Sequence, residues 1–267
     1  MYPILAAAGE NGDMKWIALA ALLVLPVCAA ELKPKTVEAF DRYILETEQR
    51  LADSKIFLWA DESVGRARRV KAGEVVVEPL RGKAVIEVPD GLLHDWVGSV
   101  FIPGATLQRT LAMVRDYDHH KDVYQPDVVD SRVISHTGDD FHIYLRLLKK
   151  KVITVVLASE HDVKYTPLDK TRWRSVSRTT KIAEVEKAGK PEEREKPPGT
   201  GQGFLWKLNS YWRFEERDGG TWLECEAISL TRDIPTGLGW LVQPIIRDLP
   251  RESLANTLRL TRAALAK

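Results

Sequence analysis

The stretch that decides the fold is FLWKLNSYWRFEERDGGTWLECEAISLT, from Phe204 to Thr231. It contains two strand-like runs joined by Asp218-Gly219-Gly220, residues that readily adopt the positive φ angles of a tight hairpin turn. Because successive side chains of a strand point to opposite faces, each run has one apolar face. The first run carries mainly large side chains there: Phe204, Trp206, Leu208, Ser210, Trp212 and Phe214. The second carries smaller ones: Leu223, Cys225, Ala227 and Ser229.

This pairing of large with small side chains has two interpretations. Either the faces interdigitate in a solid core, or a curved sheet borders a hollow. The strand predicted at Arg172–Ala183 bears on the choice, because alternation puts Trp173 inward together with the hydroxyls of Ser175 and Ser177. Each buried hydroxyl needs a hydrogen-bond partner. A row of inward hydroxyls therefore suits a cavity wall that meets water or the polar end of a ligand.

The opposite face of the hairpin is charged and is predicted to lie outside. It carries Arg213, Glu224 and Glu226. The matching face of the neighbouring predicted strand carries Arg172, Arg174 and Arg178. Opposite charges on neighbouring strands stabilise a sheet, so we predict cross-strand ion pairs between these glutamates and arginines. Such a face disfavours a module that docks a partner protein through an exposed apolar patch.

The rest of the chain supplies helices and further strands. Amphipathic spacing predicts a helix at Lys35–Ala52, capped by Thr36, whose apolar face carries Val37, Phe40, Ile44, Leu45 and Leu51. It also predicts helices at Thr106–Tyr117 and at Gln243–Ala266, the latter with a kink or restart near Leu249-Pro250. Turn residues separate six more strand candidates, which are Glu74–Glu78, Lys83–Val88, His94–Ile102, Val128–His136, Phe141–Leu148 and Val152–Ser159. The charged, Pro- and Gly-rich residues 187–203 are interpreted as a flexible loop within one domain spanning residues 31–267.

The first 30 residues have the layout of a leader. From Met14 the chain reads MKWIALAALLVLPVCAA, in which an apolar run follows a lysine, Pro26 ends it, and small residues lead to a cleavage site after Ala30. The run is shorter than the roughly 20 apolar residues that a membrane-spanning helix needs. We predict a secretory signal with translation starting at Met14, and export to the periplasm or the medium. A lipoprotein anchored at Cys28 is the less favoured alternative.

Composition and motifs exclude several classes of function. The 39 basic and 38 acidic residues nearly balance, so the charge that nucleic-acid binding requires is missing. Removal of residues 1–30 leaves Cys225 as the only cysteine, which excludes an internal disulfide. The cluster Asp118-His119-His120-Lys121-Asp122 lacks the rigid support and further ligands of a metal site. We therefore predict no nucleic-acid partner, no metal and no cofactor.

The element order, with YWRFEERDGGTWLECEAISL at Tyr211–Leu230, the Ile234-Pro235 turn and the amphipathic C-terminal helix, resembles a known superfamily. The chain from about Lys35 to Leu265 is similar to START-like lipid-transfer domains of the Bet v 1-like (helix-grip) superfamily, which also includes polyketide cyclases. The resemblance implies an α+β fold in which a strongly curved antiparallel sheet wraps around the C-terminal helix and leaves an apolar cavity. It does not identify a ligand, because this fold hosts binding proteins and enzymes alike.

From this resemblance we expect a protein that binds or transfers a lipid or another bulky apolar molecule, with transient membrane contact. The expected cavity-wall residues are Trp173, Ser175, Ser177, Trp206, Trp212, Phe214, Leu223, Ala227 and Ser229. Ordinary core packing is the alternative for each aromatic. The C-terminal helix, or the loops at Pro103-Gly104 and Pro235-Thr236-Gly237, would act as a gate.

A polyketide cyclase-like or hydrolytic enzyme using the same cavity is the alternative function. It would need an acid or base with a shifted pKa in the cavity. His94, His142 and Tyr144 are candidates by residue type alone, and alternation directs His142 and Tyr144 outward. No nucleophile elbow, P-loop or zinc motif is present, so no catalytic residue is predicted.

Overall fold

The computed structural model describes residues 30–150, 154–233 and 239–266, without the side chains of residues 239–247. The predicted secretory signal, apart from Ala30, lies outside these residues, as do the Ile234-Pro235 turn and the Pro235-Thr236-Gly237 loop. None of the described helices is long and apolar enough to cross a membrane.

The described part of the chain is an α+β protein. Its α-helices are α1 (Pro34–Asp53), α2 (Val64–Lys71), α3 (Leu107–Arg115), α4 (His120–Val123) and α5 (Gly239–Leu265), with short 3₁₀ turns at Trp59–Glu62 and Tyr117–His119. Its strands are β1 (Val76–Pro79), β2 (Ile86–Val88), β3 (Gly91–Pro103), β4 (Val128–Thr137), β5 (Asp140–Lys150), β6 (Thr154–Pro167), β7 (Arg172–Glu186), β8 (Arg194–Glu195), β9 (Lys207–Arg217) and β10 (Gly220–Arg232).

All of these strands pair antiparallel in one sheet, in the order β1-β3-β10-β9-β7-β6-β5-β4, with β2 beside β3 and β8 beside β7. The predicted curved antiparallel sheet with a long C-terminal helix is confirmed. The hairpin is confirmed in detail, since β9 and β10 pair from Arg217 and Gly220 onward. Asp218 and Gly219 have φ angles of 58° and 75°, the left-handed region that the turn requires.

Helix α5 approaches the sheet most closely at β3. A Cβ atom added at Gly98 would lie 2.7 Å from Cδ1 of Leu258, so only glycine lets the helix lie this close. Leu254 and Leu258 are buried there with Trp96 and Leu223 in the largest hydrophobic cluster. Because the helix rests on this side of the sheet, space is left between α5 and the strands from β6 to β9.

The other face of the sheet is covered by the N-terminal segment. Helix α1 buries Phe40 and Tyr43 against Leu93, Ile228 and Leu230. The segment after α1 buries a second cluster on the same face of β3 and β10, made of Leu58, Trp59, Ala60, Val70, Val76, Val97, Phe101 and Trp222. The buried stripe of α1 is Thr36, Phe40, Tyr43 and Thr47, so the predicted stripe was partly wrong.

Two details of α1 differ from prediction because of this docking. Leu45, predicted to be buried, is 69% exposed on the solvent side of the helix. Thr36 is not the N-cap, since the helix begins at Pro34 and the Thr36 hydroxyl donates to the Pro89 carbonyl at 2.8 Å. Contacts made far away in sequence therefore fixed the rotation of the helix about its axis.

The charged face of the hairpin, predicted to be outside, is buried beneath α1 and the Trp59–Glu62 turn. Glu224 and Glu226 are fully buried. Glu224 accepts hydrogen bonds from the backbone N–H groups of Trp59 and Ala60 at 2.9 and 3.0 Å, and Glu226 pairs with Arg50 of α1. Arg213 of the same hairpin also pairs with Glu224, with 3.1 Å between its Nε and Oε1 of the glutamate.

The predicted pairs with the β7 arginines were wrong, because α1 and a tight turn supply nearer partners. Arg178 pairs with Glu48 of α1, and Arg172 pairs with Asp169 at the turn before β7. Arg174 lies opposite Arg213 in the register, so no glutamate faces it across the strands.

Three further elements also differ from prediction: the end of β6, the loop at 187–203 and the course of α5. Strand β6 continues past Ser159 to Pro167, because the turn begins only at Leu168, where Asp169 binds the backbone of Thr171 and Arg172. The predicted loop at 187–203 carries β8 and is attached to the sheet through Glu184, which accepts from the backbone N–H of Gln202. Helix α5 runs without interruption through Pro250, so the helix does not restart at that proline.

Candidate ligand-binding cavity

A cavity of about 390 Å³ lies between α5 and the inner face of the sheet. Its walls come from β5, β6, β7, β9 and β10, from α4 and its flanking residues, and from residues 249–260 of α5. Protein sites for small molecules range from about 300 to 1,000 Å³. The space is therefore large enough for a small organic molecule, and the predicted hollow beside the hairpin is present.

The deep part of the cavity is apolar and rigidly built. Phe214 and Cys225 are 1% exposed, and Leu157 and Val163 are 4% exposed, so these side chains are fixed by the core on one side and border the cavity on the other. Trp212 stacks beside Phe214 with ring centroids 6.3 Å apart. On β9, Trp212 lies opposite the small Cys225 of β10, and Ser210 lies opposite the small Ala227. These small side chains leave the space that the hairpin sequence predicted.

Serine hydroxyls interrupt this apolar wall. Ser175 and Ser177 of β7, Ser210 of β9 and Ser229 of β10 all line the cavity. The register places Ser175 opposite Trp212 and Ser177 opposite Ser210. These side chains point to one face of three adjacent strands, as the alternation predicted.

One end of the cavity is lined by aromatic side chains with polar groups. The hydroxyls of Tyr117 and Tyr165 are 2.8 Å apart, and Tyr124 is 3.0 Å from Oγ1 of Thr261 on α5. His120 lies between two of these rings, with centroids 4.6 Å from Tyr117 and 4.9 Å from Tyr124. The group is uncharged at neutral pH, since burial raises the pKa of each tyrosine and lowers the pKa of His120 to about 4.

His120 is held in one tautomer by the backbone. Its Nε2 lies 3.1 Å from the Val114 carbonyl, an acceptor, so Nε2 carries the proton. No other hydrogen bond is made by this ring within the described residues. It is thus a fixed neutral imidazole in the cavity lining.

His161 of β6 also lines the cavity. It is 3% exposed, and its Nε2 is 3.1 Å from the Ser159 hydroxyl. Burial lowers the pKa of His161 to about 4, and the neighbouring His142 adds to the effect. The ring is therefore neutral at physiological pH.

The rim of the cavity carries its charged side chains. Asp127 is 2.9 Å from the Lys149 ammonium and accepts a hydrogen bond from Nδ2 of Asn256 at 3.1 Å. Since Asn256 belongs to α5, Asp127 connects the helix to the strand side of the cavity. Arg232 and the exposed Asp233 lie at the same end.

Six of the predicted wall residues line the cavity: Ser175, Ser177, Trp212, Phe214, Ala227 and Ser229. Leu223 and Trp173 do not, because they pack within the main hydrophobic cluster. Trp206 packs in the cluster beneath α1, on the other side of the sheet. Its predicted face was wrong, because β9 begins only at Lys207 and alternation does not extend back to Trp206.

The candidates for acid or base chemistry named from the sequence lie elsewhere. His142 pairs with Asp162 on the opposite face, Tyr144 is covered by Arg132 at 3.8 Å from its ring, and buried His94 bonds to Thr231. Sequence reasoning missed His161, whose alternation with Val163 and Tyr165 would have revealed it had β6 been extended. The described residues contain no group of His, Cys, Asp or Glu that could hold a metal ion. The predicted gate at Pro103-Gly104 is not part of the cavity lining.

Comparison with known proteins adds fold likenesses only. No family model matches the chain, and no curated protein sequence matches it. A STAR-related lipid transfer protein from Xanthomonas axonopodis has a TM-score of 0.47 at 14% identity, over 68% of this chain and 98% of that chain. The human StarD13 lipid transfer and protein localization domain has a TM-score of 0.43 at 9% identity, over 79% and 98%. The Zhui aromatase/cyclase from Streptomyces sp. R1128 has a TM-score of 0.39 at 12% identity, over 65% and 93%.

The fold is of the helix-grip type, an antiparallel sheet with a long C-terminal helix on its inner side, as the sequence indicated. That conclusion follows from the sheet order, the antiparallel pairing and the C-terminal helix that lies on the sheet. The site between these two elements is a preformed internal cavity, mostly apolar and of a size that a small organic molecule would fill.

Proposed function

We propose that this protein is a carrier that holds a lipid or another bulky apolar molecule in the cavity, without making or breaking a bond. The observation that supports the proposal is the cavity itself, about 390 Å³ of space with an inner wall of apolar side chains from the sheet and α5. A ligand burying about 300 Å² of apolar surface would gain on the order of 7 kcal/mol, before the costs of association are subtracted.

We also propose that the carrier is exported and that it contacts membranes transiently to exchange its ligand. Support for export comes from the leader-like sequence from Met14 to Ala30. Support for exchange through one end comes from the rim, where Asp127 connects to Asn256 of α5. Separation of α5 from this rim would open the cavity.

The binding proposal can be tested with a variant that fills the cavity. Ala227 lines the cavity on β10, so Ala227→Trp should place an indole in the ligand's volume. Ala52→Trp is the matched control, because Ala52 is exposed on α1. Mass spectrometry of organic extracts from purified protein should find a co-purified apolar molecule in the wild type and in the control, but not in Ala227→Trp. A wild type that takes up neither cellular lipid nor an added apolar probe would reject the proposal.

A cyclase-like or hydrolytic enzyme is the second candidate, because His120 and His161 line the same cavity. A general base works best with a pKa near the operating pH. Burial lowers the pKa of both histidines to about 4, which makes them weak bases and favours the carrier. Turnover of a bound substrate that disappears in a His120→Gln variant would support the enzyme instead.

A further inference from the structure

Serine hydroxyls without partners are concentrated in the cavity wall. Within the described residues, no hydrogen bond is made by the side chains of Ser175, Ser177, Ser210 or Ser229. Ser175 is 2% exposed and Ser229 is 6% exposed, whereas Ser177 and Ser210 are half-buried and border the cavity. Alanine would fill the same positions without a hydroxyl to satisfy, so these serines favour an occupant of the cavity that offers a hydrogen-bond partner, either water or a ligand oxygen.

The register brings two of these hydroxyls together. Ser177 and Ser210 are directly opposite each other on β7 and β9, which places their Cβ atoms about 5 Å apart. A single oxygen atom of a ligand can contact both side chains at that spacing. Ala227 of β10 lies opposite Ser210, on the same level of the sheet. It is five residues from Arg232 at the rim, a distance of about 17 Å along the strand. The two hydroxyls therefore lie inside the cavity and not at its entrance.

The described cavity lining holds charged side chains only near its rim, namely Asp127, Lys149, Arg232 and Asp233. Asp127 and Lys149 are 2.9 Å apart and neutralise each other. His161, which lies on β6 on the other side of β7, is uncharged at neutral pH because burial lowers its pKa to about 4. An ionised ligand group beside the serines would have no opposite charge to balance its loss of water.

We infer that the cavity selects neutral apolar molecules that carry a hydroxyl or carbonyl oxygen, and that Ser177 and Ser210 bind this oxygen. The inference rests on the proposed carrier function and names the class of its ligand. Ser175 and Ser229 extend the polar patch on either side and allow the oxygen to sit at slightly different depths. Long-chain alcohols, ketones and hydroxylated ring systems belong to this class, whereas ionised fatty acids and phosphate esters do not.

The test compares three ligands of equal chain length: 1-decanol, decane and decanoate at pH 8. Each is titrated against Nile red bound to the wild type, to Ser177→Ala/Ser210→Ala and to Ser135→Ala. Ser135 is exposed on β4 and does not line the cavity, so its variant is the matched control. We expect the double variant to weaken the binding of decanol about tenfold and to leave the binding of decane unchanged or tighter. Decanoate should bind the wild type at least about tenfold more weakly than decanol.

The outcomes separate this inference from the proposed function. If neither Nile red nor any of the three ligands binds the wild type, the carrier function itself fails. If all of them bind but the double variant retains the wild-type ratio of decanol to decane affinity, the serines do not bind the oxygen. Equal affinity for decanoate and decanol would overturn the selection for neutral molecules. Should the double variant not fold, the single Ser177→Ala variant gives the same comparison with a smaller expected loss.

Discussion

Tyr43 of α1 donates a hydrogen bond of 2.7 Å from its hydroxyl to Oδ2 of Asp95 on β3, on the sheet face opposite the cavity. The other oxygen of Asp95 is buried and has no partner within the described residues. Burial, and then the negative charge of nearby Glu226, raise the pKa of Asp95 to about 7. A carboxyl group that resists ionisation therefore lies between the N-terminal helix and the sheet.

The first prediction concerns the pH dependence of stability. Below about pH 4, Asp95 is protonated in both the folded and the unfolded chain, so it adds no pH dependence. As the pH rises from 4 to 7 the unfolded chain loses this proton and the folded chain keeps it, so the free energy of unfolding falls. Asp95→Asn stays neutral and can still accept from Tyr43. It should be more stable than the wild type at pH 8, by on the order of 3 kcal/mol, and nearly equal at pH 4.

Urea unfolding of both proteins at pH 4, 6 and 8 measures this difference. Asp122→Asn is the control, because Asp122 is exposed and should give the same profile as the wild type. A constant difference between Asp95→Asn and the wild type at all three pH values would mean that Asp95 titrates normally.

The hairpin shows which parts of the fold could be predicted from the sequence and which could not. The Asp218-Gly219 turn and the alternation on both sides of it carry local information, so the hairpin and its four cavity-wall positions, Trp212, Phe214, Ala227 and Ser229, were predictable. The burial of Glu226 depends on α1 and that of Glu224 on the Trp59–Glu62 turn, both more than 150 residues away in sequence. Alternation assigns a side chain to a face, but it does not reveal which element covers that face.

The place of His161 in the cavity wall was not predicted, for a different reason. Tyr165-Thr166-Pro167 suggests a break, yet β6 continues to Pro167, where a proline at the end of a strand costs no ladder bond. Extending the strand by these residues puts His161, Val163 and Tyr165 on the cavity side. The predicted face of Trp206 was wrong for the opposite reason, because β9 begins at Lys207, after the apolar pattern has already started.

The second prediction concerns His161 and acid stability. Burial lowers the pKa of His161 to about 4, so below pH 6.5 the unfolded chain binds a proton that the folded chain does not. This contribution to stability is present above pH 6.5 and is lost as the pH falls towards 4. His161→Gln cannot titrate, and between pH 7.5 and pH 5 it should lose about 2 kcal/mol less stability than the wild type.

Thermal and urea unfolding at the two pH values test this expectation. His136→Gln provides the control, since His136 is exposed on β4 and its replacement should not alter acid sensitivity. Identical acid sensitivity of His161→Gln and the wild type would contradict the buried, neutral state of the ring.

The third prediction concerns the closest contact between the helix and the sheet. In Gly98→Ala the new Cβ would lie 2.7 Å from Cδ1 of Leu258 and 3.0 Å from Cγ2 of Val77, so the buried Leu258 side chain or α5 itself must shift away from β3. Overpacking of this kind typically costs about 1–3 kcal/mol. Gly65→Ala in α2 is the matched control, because its Cβ would meet nothing closer than 3.8 Å and alanine favours the helix. Unfolding free energies that fall for both variants alike would show that α5 does not rest on Gly98.

The last prediction concerns the rim and builds on the proposed carrier function. Asp127 contacts both Lys149 on β5 and Asn256 on α5, and so links the helix to the strands at that end. Asp127→Ala removes these bonds but no apolar contact with the ligand. We therefore expect association and dissociation of Nile red to become several-fold faster, while the dissociation constant changes by less than about threefold. Stopped-flow fluorescence measures both rates, with Asp122→Ala, a change of the same type at an exposed position of α4, as the control. Unchanged rates in Asp127→Ala would mean that the ligand enters elsewhere, whereas a large loss of affinity would make Asp127 part of the binding surface and not a latch on the helix.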